Sequence, residues 1–433
     1  MVHAQRSDSM DWISKLLRVN RDEAGGVVPA LLLFFLLFTS YFMLRPVRDT
    51  MGIVGGVENL QWLFTATFIA TLACMPLFGW LASRVTRRLI LPWTYAFFAS
   101  HLALFAIGFQ LVPDNIWLAR TFYVWLSVFN LFSISVAWSQ LADLFPLRDA
   151  KRLFGLIAAG ASAGGICGPL LGAALVGSIG HSGLVIISTA LLMTTLAAGR
   201  HLQRWRDLHP LLEIAAESRH SLLGGSPFAG ATTVIRSPYL LGIAAFVVLL
   251  ASVTTFLHLE QSRLVEAHFS SNTHRTQFFA VVEVVVQSLA MLTQIFFTGR
   301  IAERLGLRTL LTMVPLIVAA GFLCLTISPI LAVFVVVLVV RRAGEYALVR
   351  PGREMLFTRV SNEAKFKAKN FIDTTVYRGA DAVSAWVKAG VDLIGQHPAV
   401  IAIFGAAIAL VWAAAGNSLA RQAESNRSEE MLD

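Results

Sequence analysis

Gly79-Trp-Leu-Ala-Ser-Arg84-Val-Thr-Arg-Arg88 returns, at a constant offset, as Gly299-Arg-Ile-Ala-Glu-Arg304-Leu-Gly-Leu-Arg308. Gly79 and Gly299, Ala82 and Ala302, Arg84 and Arg304, and Arg88 and Arg308 coincide. A Gly-x-x-x-x-Arg match is weak by itself, because basic loops are common. Its position gives it weight. Each copy lies between the second and third apolar run of its half of the chain, so the chain reads as two related halves.

The apolar runs extend outward from this repeat in both directions. The chain is 56% hydrophobic and 14% charged, with mean hydropathy +0.67, well above an ordinary soluble protein. Runs of about 20 residues, enough to cross a bilayer, fall at 28–48, 60–82, 89–111, 115–144, 153–178 and 180–200. Six more follow at 239–262, 277–298, 308–328, 329–349, 370–393 and 398–419, the ninth and tenth parted only by Ser328-Pro329. One such run could be a buried core helix, but twelve in succession predict an all-α membrane protein with twelve transmembrane helices. The expected organisation is an N-terminal segment 1–27, a six-helix half 28–200, a linker 201–238, a second six-helix half 239–419 and a tail 420–433. Gly224-Gly225-Ser226-Pro227 and Ser237-Pro238 punctuate the linker.

The net charge of +9 is a topology signal and does not point to nucleic acid. Basic residues cluster in alternate loops, at Arg84 to Arg88, Arg148 to Arg152, Arg200 to Arg236, Arg300 to Arg308 and Arg350 to Lys369. The positive-inside rule then places both termini and the central loop in the cytoplasm. No small-residue cleavage site follows residues 1–27, so no removable signal peptide is expected. Within that segment Trp12, Ile13, Leu16 and Leu17 share a helical face, which fits either a surface-lying helix or a polar lead-in. Cys74, Cys167 and Cys324 all sit in apolar runs without metal-ligand spacing. No His-Glu-x-x-His, Gly-x-Ser-x-Gly or P-loop is present. The expectation is no metal, no cofactor and no enzyme. The stretch Gly160 to Pro169 is rich in small residues and reads as a close helix-packing device.

Six plus six helices with a repeated basic loop resemble the major facilitator superfamily, which implies two halves rocking about a central cavity. The resemblance further implies a cavity lined by the first, fourth, seventh and tenth helices. Intramembrane charge is costly and marks sites, and here it falls on those helices: Arg45, Arg120, Glu260 with Arg263, and Arg341, Arg342 and Glu345. The eleventh adds Asp373, Arg378 and Asp381, with Tyr377 sharing a face with both acids. Arg48, Arg263 and Lys388 lie near span ends and read first as snorkelling side chains. Arg341 and Arg342 lie roughly 18 Å into their span at 1.5 Å per residue. Glu345 stands at i+4 from one and i+3 from the other, so it could serve either. The surplus of guanidinium groups suits an anionic substrate, because arginine's fork matches phosphate or carboxylate. Tyr41, Tyr95, Tyr123, Trp125, Trp138, Tyr346 and Tyr377 could stack on a flat ring, although packing is the commoner role. His258 fits a proton relay or a neutral packed histidine.

Three segments resemble the nucleotide transporter family, the ATP/ADP exchangers of plastids and intracellular bacteria with their bacterial relatives. They are Tyr41-Phe-Met-Leu-Arg45-Pro-Val-Arg48-Asp49, then Glu260 with Arg263 and Phe269, and Arg353-Glu354-Met355 followed by Lys365-Phe-Lys367-Ala-Lys369-Asn-Phe-Ile-Asp373 and Arg378-Gly379. The chain departs from the exchangers at three places. Met51 to Gly56 has no lysine, the fourth-helix acid falls near Ser127-Val128, and Asp381 replaces a cavity lysine. The resemblance implies a bacterial inner-membrane secondary transporter, a monomer in the bilayer, that moves a small organic anion of which nucleotides are one class. Arg45, Arg48, Arg120 and Glu260 would form the outer pathway, and Arg341, Arg342, Glu345 and Arg378 the central site. Arg148, Lys369 and Asp373 would gate the cytoplasmic side. The alternatives are proton-coupled transport of another solute, or a non-transporting protein that kept the fold.

Overall fold

The computed structural model describes residues 21–144, 147–208, 229–394 and 398–430. Lipid offers no hydrogen bonds, so each apolar run must satisfy its backbone internally, and the helix is the only single-segment solution. Among the described residues twelve membrane-crossing segments follow one another where the apolar runs predict them. The first four are α1 (Arg21–Val54), α2 (Leu60–Arg84), α3 (Arg87–Leu111) and α4 (Ile116–Leu144). A long run, Leu147–Leu208, is broken at Gly180 (φ 65°) into α5 (147–179) and α6 (181–208). The second half opens with α7 (Pro238–His268). Residues 272–327 are broken at Gly306 (φ 75°) into α8 (272–305) and α9 (307–327). Next come α10 (331–356), α11 (362–394) and α12 (Pro398–Glu430). Ser328, Pro329 and Ile330 separate α9 from α10, so that narrow boundary is real.

Both copies of the repeat fall at a hairpin, one where α2 turns into α3 and one where α8 turns into α9 at Gly306. Helix ends run past the apolar limits. α6 continues to Leu208, a short helix Ala229–Arg236 packs on residues 362–371, and α12 reaches Glu430. The amphipathic stretch Met10 to Val19 lies outside the described residues.

Each half has its own core. Phe34, Leu37, Met43, Phe122 and Phe129 centre the first, and Phe246, Leu310, Phe357 and Trp412 the second. The glycine stripe of α5 performs the predicted packing. A Cβ on Gly160, Gly164 or Gly168 would come within 2.5, 2.4 and 2.6 Å of the carbonyl oxygens of Leu31, Phe35 and Thr39 on α1. Only hydrogen fits there, so α1 and α5 lie backbone to backbone.

The halves meet where α2 packs on α11 and α5 on α8. At one end they close tightly. Ile53, Val265 and Phe279 form one buried cluster across the halves, and Leu60, Leu63, Tyr123, Leu259 and Ala385 another. Thr50 and Thr276 hydroxyls lie 2.7 Å apart with His181 Nε2 at 2.9 Å, and Trp386 Nε1 donates to Thr65 at 3.0 Å. At the opposite end, which carries the repeated basic loops, no such cluster joins the halves among the described residues. The bundle has a sealed end and an open end.

Candidate functional site

Between the halves lies a cavity of about 570 Å³ that runs from Asp49, Tyr123 and His258 near the sealed end to Trp138, Gln294 and Arg350 toward the open end. Helical periodicity decides which side chains reach it. On α7 the lining residues are Thr254, Thr255, His258 and Gln261, and on α10 Leu338, Arg341, Arg342, Glu345, Tyr346 and Arg350. Both sets trace one stripe of the 3.6-residue repeat.

The centre is an ion cluster that spans the two halves. Arg45 on α1 donates from Nη1 to Glu283 Oε1 at 3.1 Å, and Arg342 on α10 donates from Nη2 to Glu283 Oε2 at 2.5 Å. Arg45 also donates to the Tyr346 hydroxyl at 3.3 Å, and Gln287 Nε2 to Glu283 Oε1 at 2.8 Å. Arg341, 2% exposed, donates to Glu345 Oε2 at 2.6 Å and to the Thr254 hydroxyl. Thr255 donates to Asp381 Oδ1 at 2.9 Å, with Arg378 Nη1 3.6 Å from Oδ2. Near the sealed end Arg48 binds Asp49 Oδ1 through Nε at 3.0 Å and Nη2 at 2.6 Å, and stacks over Tyr123 at 5.0 Å. Six arginines line the cavity (45, 48, 341, 342, 350 and 378) against Asp49, Glu345 and Asp381, with Glu283 just behind. The set keeps an excess of two positive charges.

Three α-helical ladders widen by one residue into π-turns at Gln294–Thr298, Glu345–Val349 and Ile372–Val376, all in the second half. Such turns free backbone carbonyls and recur at functional sites. Here Gln294 Nε2 and Thr298 Oγ1 on α8 donate to the carbonyls of Tyr346 and Ala347 on α10, at 2.9 and 2.8 Å. The two wide turns support each other beside Glu345.

Several expectations change on meeting the structure. Of the two arginines that its spacing allows, Glu345 takes Arg341, and Arg342 turns to Glu283 instead. Glu283 escaped the sequence reading, which looked for charge on other helices. A lone acid inside Val281-Val282-Glu283-Val284-Val285-Val286 was signal enough. The outer group of Arg45, Arg120 and Glu260 does not assemble. Arg120, on the first turns of α4, donates to the Gly55 carbonyl at 2.8 Å and lies over Trp117 at 5.1 Å, outside the cavity. Glu260 is two residues from His258, about 200° around α7. It therefore faces Lys388 at 3.4 Å, which in turn holds Asp392 at 2.7 Å. Lys388 is thus a buried ion-pair partner and does not snorkel.

Lys369 pairs with Glu354 at 2.6 Å and Asp373 with Arg353 at 3.0 Å, both within the second half. The Arg148 side chain lies outside the described residues. Tyr41, Tyr123, Trp138, Tyr346 and Tyr377 line the cavity. Tyr95 is buried in the first half, donating to the Ser133 carbonyl at 3.1 Å, and Trp125 stacks on Phe129. His258 faces the cavity with Nε2 3.3 Å from the Tyr123 hydroxyl.

The chain is similar to known transporters over nearly its whole length. It shares 22% identity with the ADP,ATP carrier protein 1 of Chlamydia trachomatis serovar D, over 94% of this chain and 90% of that one. Among solved structures it superposes on the nucleoside transporter NupG with TM-score 0.65 at 14% identity, covering 91% of this chain and 98% of that one. A bacterial homologue of the iron transporter ferroportin, in an inward-facing state, gives TM-score 0.63 at 14% identity over 91% and 98% of the two chains. At these identities the superpositions establish the fold. The sequence pattern of the Major Facilitator Superfamily matches residues 30–357. Twelve helices in two halves about a charged cavity, together with that match, show that the chain belongs to the Major Facilitator Superfamily and is an alternating-access membrane transporter, not an enzyme.

Proposed function

We propose that the protein carries an organic anion with a phosphate or carboxylate group and a flat ring, the chemistry of a nucleotide, across a bacterial inner membrane. The observation that carries this reading is the surplus of guanidinium groups around Glu283. Arg45 from one half and Arg342 from the other share that single buried carboxylate. An incoming anion offers them a second acceptor with the same fork geometry. As it binds, the anion takes over Arg45 and Arg342, loosening their hold on Glu283 and bridging the halves itself. Tyr41, Tyr346 and Trp138 on the cavity wall supply faces for a ring.

The basic loops support placing the open end, both termini and the linker in the cytoplasm. On that orientation the structure is open inward, and Arg148 would engage Asp373 when the halves close over the cargo, with Lys369 held by Glu354 beside it. The protein acts as a single chain, since the whole cavity is built from one copy. A thermal-shift screen followed by uptake into proteoliposomes tests the proposal. Nucleotides should stabilise the protein selectively, and Arg342→Gln should abolish uptake while leaving folded protein. Undiminished uptake by that variant would refute the site.

A second reading, proton-coupled transport, draws on Asp381. This carboxylate is 5% exposed, and its arginine partner is 3.6 Å away. Uptake that requires a pH gradient but no internal counter-substrate would favour it over exchange.

A further inference from the structure

A second hollow, about 1020 Å³, opens on the membrane face of the first half. It exists because α2 packs against α4 and α11 and barely touches α3. Its walls are almost wholly apolar, with Ala66, Ala70, Leu77 and Phe97 along its length. Measured along α2 from Trp62 to Leu77, it runs about 23 Å at 1.5 Å per residue. That is most of the roughly 30 Å hydrocarbon thickness.

Among the described residues its one cation, Arg120, stands at the mouth. Arg120 lies at the sealed end of the bundle between Trp62 and Trp117, which are 57% and 72% exposed and suit the headgroup level of a bilayer. Arg120 cannot swing freely. Its Nε donates to the Gly55 carbonyl at 2.8 Å, and its stem packs where any Cβ on Gly55 would come within 3.1 Å. Among the described residues no carboxylate lies within ion-pair distance of it. The terminal guanidinium nitrogens are therefore held at the groove mouth without a counter-ion, an arrangement that fits a phosphodiester.

We propose that this groove binds an anionic phospholipid from the leaflet at the sealed end, with an acyl chain along α2 and its phosphate on Arg120. The tail gains little by leaving bulk lipid, because lipid chains are as apolar as the groove wall. Selectivity therefore rests on the Arg120 contact, and the groove supplies the fit. The site stands apart from the transport cavity and does not depend on the identity of the cargo.

The test uses purified full-length protein, delipidated in detergent and titrated with phosphatidylglycerol, phosphatidylcholine or inorganic phosphate while thermal stability is followed. Phosphatidylglycerol should half-saturate at about tenfold lower concentration than phosphatidylcholine, the ratio expected of one charge-assisted contact, and inorganic phosphate, which the arginines of the central cavity can also hold, should act alike on the parent and on Arg120→Gln. Arg120→Gln should erase the difference between the two lipids. Ala70→Trp, which fills the groove away from the arginine, should weaken both. Equal response to the two lipids, stabilisation by inorganic phosphate alone, or full selectivity in both variants would overturn the proposal. If a variant fails to fold, the comparison of the two lipids on the unaltered protein decides it.

Discussion

The two halves contribute unequally to the cavity they enclose. The first half brings rings and close backbone packing: Phe34, Phe38 and Phe42 step along α1, Phe34 meets Trp138 at 4.7 Å, and α5 lies against α1 on its glycine stripe. The second half brings most of the charge, Glu283, Arg341, Arg342, Glu345, Arg350, Arg378 and Asp381, together with all three π-turns among the described residues. The difference teaches how an alternating-access pair can divide its labour. A rigid, ring-lined wall faces a wall whose charges sit on locally widened helices. Arg45, Arg48 and Asp49 are the charges on the first side, and Arg45 reaches across to Glu283 on the other.

The largest expected effect lies on the charged side. Arg341→Ala strands Glu345 in a buried site and should cost about 3–5 kcal/mol of stability, with loss of uptake, read by thermal melting and proteoliposome transport. Wild-type stability would mean that the pair is not held as a buried bridge. Glu283→Gln leaves Arg45 and Arg342 without their shared carboxylate and should also destabilise, by a similar few kcal/mol. Its distinguishing outcome is ligand response. A transported anion should raise the melting temperature of this variant by more than that of the parent, and an equal rise would sink the view of Glu283 as the internal counter-anion.

On the ring-lined side, Gly164→Ala should cost about 1–3 kcal/mol through overpacking against the Phe35 carbonyl. It should do so without altering anion selectivity, a contrast that separates a packing wall from a binding wall. The smallest effect is expected at the seal. Trp386→Phe removes the bond to Thr65, worth about 0.5–1.5 kcal/mol, and should modestly increase labelling of a cysteine placed near His258 from the sealed side. No change in labelling would show that the apolar clusters alone hold that end shut.

Much of this was legible beforehand. Spans as clear as 239–262 and 398–419 needed only length and hydropathy. The repeat at Gly79 and Gly299 located matching hairpins, and Arg341, Arg342, Glu345 and Asp381 stood out as charge where charge is costly. The failures share one cause. Arg120 and Glu260 join Arg45 because their helices line the cavity in the resembled fold, yet a helix's place does not say which way a side chain points. Two residues along α7 turn Glu260 away from the cavity that His258 faces.

The sequence by itself determined the elements: twelve helices, two halves, an anion-friendly surplus of arginine and a glycine stripe for close packing. These follow from properties that act locally along one chain, such as hydropathy over 20 residues, the charge of a loop or the absence of a Cβ. Only the tertiary structure decided the partners. Glu283 with Arg45 and Arg342, Lys388 with Glu260, and the apolar groove beside Arg120 all depend on how helices distant in sequence are rotated and paired. A buried ion takes counter-ions from whichever helix face packing brings within reach, and spacing along one helix settles only the pairs inside it, such as Arg341 with Glu345 and Lys388 with Asp392.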